Sequence, residues 1–304
     1  KNKCDMNNSK KILVVINPIS GTGNKKKIPA IVNEVLDSSK WDVTIKFTER
    51  PEHATELARE AVEQGCFAVV AIGGDGTINE VASALRDTDT ALGIVPCGSG
   101  NGFGRHLHLP RKPRKALEII NKGYTENIDY CMVNDRPFFC TSGVGLDAMI
   151  SHKFAKAGSR GMKTYLRTAV TAFFDYHGEQ FKITVDGKEI NENAHILTCC
   201  NAAQYGNNAI IAPRASISDG LIDVTVVRNF NIFDGPILGV RMLTNKLEQD
   251  RHVHFYRGRH VIIERLRPGI THIDGDPCIM PKKLDFKCVK DGLKVLLRHH
   301  KRSL

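Results

Sequence analysis

Three glycine-rich turns, each set directly behind an apolar run and ahead of a stretch with helical spacing, occupy the first third of the chain. They are Asn17-Pro18-Ile19-Ser20-Gly21-Thr22-Gly23, Gly73-Gly74-Asp75-Gly76-Thr77 and Pro96-Cys97-Gly98-Ser99-Gly100-Asn101-Gly102. The apolar runs are residues 12–16, 68–72 and the shorter 92–95. A glycine turn that ends a strand and opens a helix exposes backbone N–H groups beside the positive helix end, an arrangement that suits phosphate. Three such turns on neighbouring parallel strands line one edge of a sheet and carry enough donors for a triphosphate.

The turns differ in how much they decide. Gly21-x-Gly23 alone fits any tight turn, and Lys at position 26 excludes the dinucleotide Gly-x-Gly-x-x-Gly pattern. Asp75 is more informative, because a carboxylate inside a phosphate turn repels its ligand unless a metal ion or a substrate hydroxyl stands between them. The alternative is a turn or cap residue that accepts from the N–H of Thr77 or Ile78.

In their order, Asn-Pro-x-Ser-Gly, Gly-Gly-Asp-Gly-Thr-x-Asn-Glu and Gly-Ser-Gly-Asn resemble the diacylglycerol kinase catalytic-domain superfamily. The soluble bacterial lipid kinases are the most similar branch, with sphingosine and ceramide kinases as relatives. Downstream, Gly143-Val144-Gly145-Leu146-Asp147-Ala148 is similar to that family's Gly-x-Gly-x-Asp-Ala. Asp219-Gly220-Leu221-Ile222-Asp223 is similar to its Asp-Gly-x-x-Asp, and Asp274-Gly275-Asp276 to its Asp-Gly-Glu, so the resemblance spans nearly the whole chain.

The resemblance implies an ATP- and magnesium-dependent kinase that moves the γ-phosphate to a lipid hydroxyl. Diacylglycerol is the first acceptor, and a sphingoid base or ceramide the second. It implies nucleotide contacts from Asn17, Pro18, Ser20, Gly21, Thr22, Gly23, Thr48, Gly73, Gly74, Gly76, Thr77, Asn79, Glu80, Gly98, Ser99 and Asn101. Asp75, Asp147, Asp274 and Asp276 are the catalytic carboxylates it implies. Asp219, with the backbone carbonyls of Ser216 and Leu221, is implied to hold a structural magnesium, a hard cation that takes oxygen ligands.

Two departures bear on function. Asp276 is one methylene shorter than the family's Glu, which leaves the general base open among the carboxylates; an Asp-Gly-Asp also makes a simple hairpin turn. Gly98-Ser99 stands where the bacterial diacylglycerol kinases carry Gly-Thr, which keeps the lipid open. NAD kinase shares Gly-Gly-Asp-Gly-Thr and is the enzymatic alternative; the first and third turns argue against it. A non-catalytic lipid- or nucleotide-binding module is the alternative from another class, and the presence of Asp75, Asp147 and Asp274 argues against that.

Strand and helix alternate over residues 1–125, with strands expected at 12–16, 43–47, 68–72 and 92–95 and helices at 28–36, 51–64, 78–85 and 113–121. This predicts an α/β nucleotide-binding domain, Rossmann-like with a parallel sheet. Residues 126–304 read as short alternating segments parted by Asp-Gly turns. They predict an antiparallel β-sandwich domain for the lipid substrate, interrupted by helices at 163–176 and 234–247. A return of the C-terminal tail to the first domain stays open.

The net charge of +10 favours an anionic partner. No helix-turn-helix, zinc-finger or aromatic RNA-binding motif accompanies it, so no nucleic acid is expected, and a membrane surface is the better match. Lys153, Lys156, Arg160, Lys163 and Arg167 alternate with Phe154, Tyr165, Leu166, Val170, Phe173 and Phe174. That pattern suits an anionic interface, or equally a helix packed on the sandwich. No apolar run reaches the ~20 residues that span a bilayer, and residues 1–11 lack a signal-type apolar core. A cytoplasmic, membrane-peripheral enzyme is expected, with a homodimer left open. The nine cysteines show no paired metal spacing and read as reduced thiols, Cys97 in the third turn being the one candidate for alkylation.

Overall fold

The computed structural model describes residues 9–21, 25–157 and 162–299. The chain forms two compact units: one takes it up to Ile128 and again from Gly292, the other is Asp129–Asp291.

The first unit alternates β1 (Lys10–Ile16), α1 (Ile28–Val35), β2 (Trp41–Phe47), α2 (His53–Glu63), β3 (Ala68–Gly73), α3 (Asp75–Leu85), β4 (Ala91–Pro96), α4 (Gly102–His106) and α5 (Pro113–Lys122). The strands pair in parallel in the order β4-β3-β1-β2, with Val14 opposite both Ile45 and Val70. Helices cover this sheet, so β3 and β4 are buried along their whole length and read as unbroken apolar runs. Val14, Ile16, Val70, Ile72 and Val95 pack with Val32 of α1 and Leu117 and Ile120 of α5. Prolines in the first turns of α1 and α5, and Gly123 at φ +69 behind α5, mark helix ends that the sequence dictates locally. Because every strand runs the same way, the three glycine turns emerge at the carboxyl ends of β1, β3 and β4.

The second unit is antiparallel. Its elements are most of β5 (Thr125–Val133), β6 (Arg136–Phe138), β7 (Thr141–Gly145), α6 (Leu146–Lys156), α7 (Met162–Asp175), β8 (Glu179–Val185), β9 (Lys188–Cys200), β10 (Gln204–Gly206), β11 (Ala209–Ile210), β12 (Ile222–Arg228), α8 (Asp234–Leu243), β13 (Val253–Gly258), β14 (His260–Glu264), β15 (Gly269–Ile273), β16 (Asp276–Met280) and β17 (Lys283–Leu296) as far as Asp291, the ends of β5 and β17 belonging to the first unit. β9 is shared: its first half pairs with β8, its second with β7 and β12. β8 continues through β14 to β17, and β7 through β15 to β16. Val144, Phe181, Ile183, Leu197, Val224, Val261 and Phe286 close the core between these strands. A second cluster, with Leu146, Ile150, Ala172, Ile196 and Leu238, lies beneath α6, α7 and α8. The α/β and β-sandwich classes expected from the sequence are both present.

Several elements differ from expectation. The amphipathic stretch expected over 153–174 is two helices, α6 ending at Lys156 and α7 starting at Met162. Arg160 and the Lys163 side chain lie outside the described residues. Lys153 belongs to α6 and pairs with Asp175 at the end of α7. The helix expected to reach 247 stops at Leu243. Among the described residues no helix is long and apolar enough to cross a membrane.

Candidate functional site

The glycine turns of the first unit interlock. A Cβ on Gly21, whose φ is +63, would overlap the carbonyl oxygen of Cys97, and one on Gly98 would lie 2.7 Å from Gly74 Cα. Only glycine lets the backbones approach this closely. Asn17 closes the first turn onto the second: its N–H donates to Ile72 O at 3.0 Å and its Nδ2 to Thr77 Oγ1 at 2.9 Å. Within the first turn Ser20 Oγ donates to Asn17 O at 3.1 Å, while Pro18 is exposed. Thr22 and Gly23 lie outside the described residues.

Asn101 ties the second turn to the third. It is buried at φ +51, and its side chain bonds both N and O of Gly98, at 2.8 and 2.7 Å. Its own N–H donates to Asp75 Oδ2 at 2.8 Å. Asp75 begins α3, whose start is Gly74 with no side-chain cap, so the first N–H groups of α3 face outward with Gly74 and Gly76 half-buried beside them. Ser99 is exposed at the crest of the third turn. Thr48, behind β2, donates its N–H to Ile16 O at 2.9 Å and so lies beside the strand that ends in the first turn.

Two further expected nucleotide residues make hydrogen bonds within the fold. Glu80 Oε2 accepts from Ala54 N–H at 3.1 Å in the first turn of α2, and burial raises its carboxyl pKa. Asn79 Oδ1 accepts from Ser83 Oγ at 3.3 Å. Burial also pushes the Cys97 thiol up, Lys25 opposing, so the nucleophilic thiolate is disfavoured. Arg105 was not singled out from the sequence, although it sits one turn into the helix that follows the third glycine turn. Its Nε donates to Gly100 O at 3.0 Å; burial, then Arg111, lower its pKa, and Asp75 opposes them.

In the second unit Asp147 enters α6 and is buried. Thr198 Oγ1, Tyr205 OH and His272 Nε2 lie 2.6, 2.9 and 3.1 Å from its Oδ2, and Ala148 N–H donates to Oδ1 at 2.7 Å. Thr198 and His272 are the register partners of Gly143 on either side, and a Cβ at Gly143 would lie 2.7 Å from Asp147 Oδ2. The missing side chain is the space the carboxylate fills. Burial, then the nearby Asp147, push the Tyr205 phenol far up, so it remains a hydrogen-bond donor. No sequence motif joins Thr198, Tyr205 and His272: the pairing of β7 with β9 and β15 brings Thr198 and His272 together, and Tyr205 reaches in from β10.

Asp274 and Asp276 part company. Asp274 and Gly275, at φ +49 and +91, form the two-residue turn between β15 and β16. The Asp274 carboxylate accepts from three backbone N–H groups: Phe139 at 3.0, Cys140 at 2.8 and Thr141 at 3.0 Å. Asp276 begins β16 and is exposed.

At Asp219, Oδ1 accepts from Leu221 N–H at 3.0 Å and Oδ2 lies 3.6 Å from Arg257 Nη1. Arg257 also grips Asp223, with contacts of 2.9 to 3.0 Å. Ser216 Oγ lies 3.3 Å from Ser218 Oγ. Among the described residues no cluster of three or more His, Cys, Asp or Glu is arranged to hold a metal. The Asp219 carboxylate keeps acceptor capacity beyond these contacts, so the donor chemistry fits a hard cation, with the Arg257 charge opposing it.

Residues 11–133 match the family model of the diacylglycerol kinase catalytic domain, and residues 141–297 that of the YegS C-terminal NAD kinase beta sandwich-like domain. A diacylglycerol kinase of Mycobacterium tuberculosis is 27% identical over 95% of this chain and 96% of its own. A probable lipid kinase YegS-like of Chromohalobacter salexigens is 29% identical over 78% of each. The crystal structure of a diacylglycerol kinase from Bacillus anthracis matches 95% of this chain and 97% of its own at a TM-score of 0.74 and 19% identity, a likeness of fold. An NAD kinase from Archaeoglobus fulgidus shares the fold more distantly, at a TM-score of 0.54 and 12% identity. With both its units matched in order, the chain belongs to the diacylglycerol kinase family, in the branch that joins the catalytic domain to a YegS-type β-sandwich, and is a kinase.

Proposed function

We propose that this kinase transfers the γ-phosphate of ATP to the hydroxyl of a membrane lipid, with diacylglycerol as the acceptor. The observation that carries the reading is the interlocked set of glycine turns with Asp75 inside it. The backbone N–H groups of Gly21, Gly74 and Gly76 and the open start of α3 bind the nucleotide phosphates, Asn101 holds the Gly98 turn beside them, and Arg105 adds positive charge. Magnesium, when bound with the nucleotide, neutralises phosphate charge. Asp75 is the carboxylate of the turns suited to face it or the acceptor hydroxyl, and the Asn101 N–H orients that carboxylate. Asp147, fixed by its three side-chain neighbours, holds the headgroup. Asp276 accepts the hydroxyl proton, while Asp274 shapes the turn that presents it. In the reaction a bond forms between the lipid oxygen and the γ-phosphorus, the bond from that phosphorus to the β–γ bridging oxygen breaks, and ADP leaves. The family match and the first and third turns favour a lipid over NAD as acceptor. Ser216, Asp219 and Leu221 would hold a structural magnesium that contributes no step. The basic residues Lys156 and Arg167 favour peripheral contact with an anionic membrane.

Labelled ATP, offered with extracted lipids and with NAD as a control acceptor, tests the assignment. Label should appear in phosphatidic acid. Label in a phosphorylated sphingoid base or ceramide would reassign the lipid, and label in NADP or in no product would overturn the reading. Asp75→Asn should lower turnover by on the order of 10³-fold at unchanged melting temperature.

A further inference from the structure

α7 and α8 cover a single core cluster from outside. Ala172 of α7, Tyr176 just beyond it and Leu238 of α8 are buried there with Leu146 and Ile196. The rings of Phe173, late in α7, and Phe230, in the segment leading into α8, have centroids 5.3 Å apart. The inner faces of both helices are thus satisfied by the fold, yet the outer faces are apolar too. Phe233, which opens α8, is 83% exposed, and Ile237, Val240 and Leu243 are each more than half exposed. Their spacing of four, three and three residues sets them on one stripe. Leu166, Val170 and Phe174, four residues apart, form the matching exposed stripe of α7. Single exposed apolar residues are ordinary on any protein; seven in two stripes over one cluster make a patch that wants a partner.

The charge around the patch identifies that partner. Arg167 stands exposed between Leu166 and Val170, Lys156 is exposed at the end of α6, and Lys246 is exposed behind α8. Asp175 is matched by Lys153. A second copy seated on this face by two-fold symmetry would bring the same cations against one another. An anionic bilayer attracts them while the apolar stripes enter the boundary of its acyl region.

We propose that α8 together with α7 is a docking face for an anionic lipid bilayer. For its purpose it rests on the lipid-kinase reading, since it brings the enzyme to a substrate that lies in the membrane. The test is co-sedimentation with phosphatidylcholine vesicles that hold roughly a third phosphatidylglycerol, against pure phosphatidylcholine vesicles. Wild type, Phe233→Ser/Ile237→Ser and Leu166→Ser/Phe174→Ser are compared, with size-exclusion chromatography and turnover on a short-chain, water-soluble diacylglycerol measured beside them. Each double variant should bind anionic vesicles at least about tenfold more weakly, since partitioned apolar area is lost. Melting, elution and soluble turnover should stay at wild-type values. Should the α8 pair fail to fold, Val240→Ser/Leu243→Ser reads the same stripe. Wild-type binding by the α8 variant overturns the proposal, as does wild type that ignores lipid charge, or a wild-type dimer that the α8 variant turns into a monomer. If vesicle binding behaves as expected but no soluble acceptor is phosphorylated, the docking face stands and the diacylglycerol assignment falls.

Discussion

Asp274 and Asp276 lie two residues apart and have opposite tasks. Asp274 spends both oxygens on three backbone N–H groups, so Asp274→Ala should strand those donors and cost about 3 kcal/mol or more, read as a lower urea midpoint. Asp276 is exposed, and Asp276→Asn should leave the midpoint alone while turnover falls by about 10²-fold or more. The reverse pattern in denaturation and turnover would exchange their roles. The carboxylates themselves stand out in the sequence, but their partners do not, since the donors to Asp274 lie 133 to 135 positions away. Glu80 shows the same limit: the Ala54 N–H that its carboxylate accepts from lies 26 positions away. His106 was not singled out at all. Burial, and then His108, push its pKa down to about 4. Its neutral form therefore contributes stability that is complete above the unfolded value near 6.5 and is lost as pH falls from there towards about 4, by up to ~3 kcal/mol. Urea unfolding at pH 7 and at pH 4.5 should show this loss, and His106→Gln should flatten it.

At the scale of elements, legibility follows burial. β3 and β4, and β1 from Ile12 on, are covered on both faces, so their sequences read as continuous apolar runs. α6 is obscured because it starts without a side-chain cap behind Gly145 at φ +102, and its buried residues include the charged Asp147. β15 and β16 mix Ile and Thr with Gly, His, Pro and Cys, and are joined as a hairpin by their two-residue turn. The 216–221 turn is the place of the magnesium site proposed above. If Ser216, Asp219 and Leu221 hold magnesium, the ion should raise the melting temperature of wild type and not that of Asp219→Ala, by mass action on the folded state. Arg257 beside the carboxylate sets the expected affinity low, and identical magnesium responses in the two proteins would remove the site.

For the molecule as a whole, the three glycine turns are what the sequence displays most openly, because interlocking backbones exclude every side chain but glycine. The buried cradle of Asp147 is hidden, since it exists only once β7, β9 and β15 are paired. The order of the chain adds a consequence for its synthesis. The first unit takes Leu296 into its core and sets Val295 against Leu92 at the outer side of β4, yet these residues follow the whole of the second unit. A ribosome that has delivered the three glycine turns has therefore delivered a sheet with its β4 edge open, and must translate a complete second unit before that edge is closed. Chains released at residue 128 should be cut rapidly by protease where the full protein resists. Adding residues 292–299 as a separate peptide should restore part of that resistance. The nascent chain thus assembles its glycine turns in a half-finished sheet that is completed only after the second unit has been made.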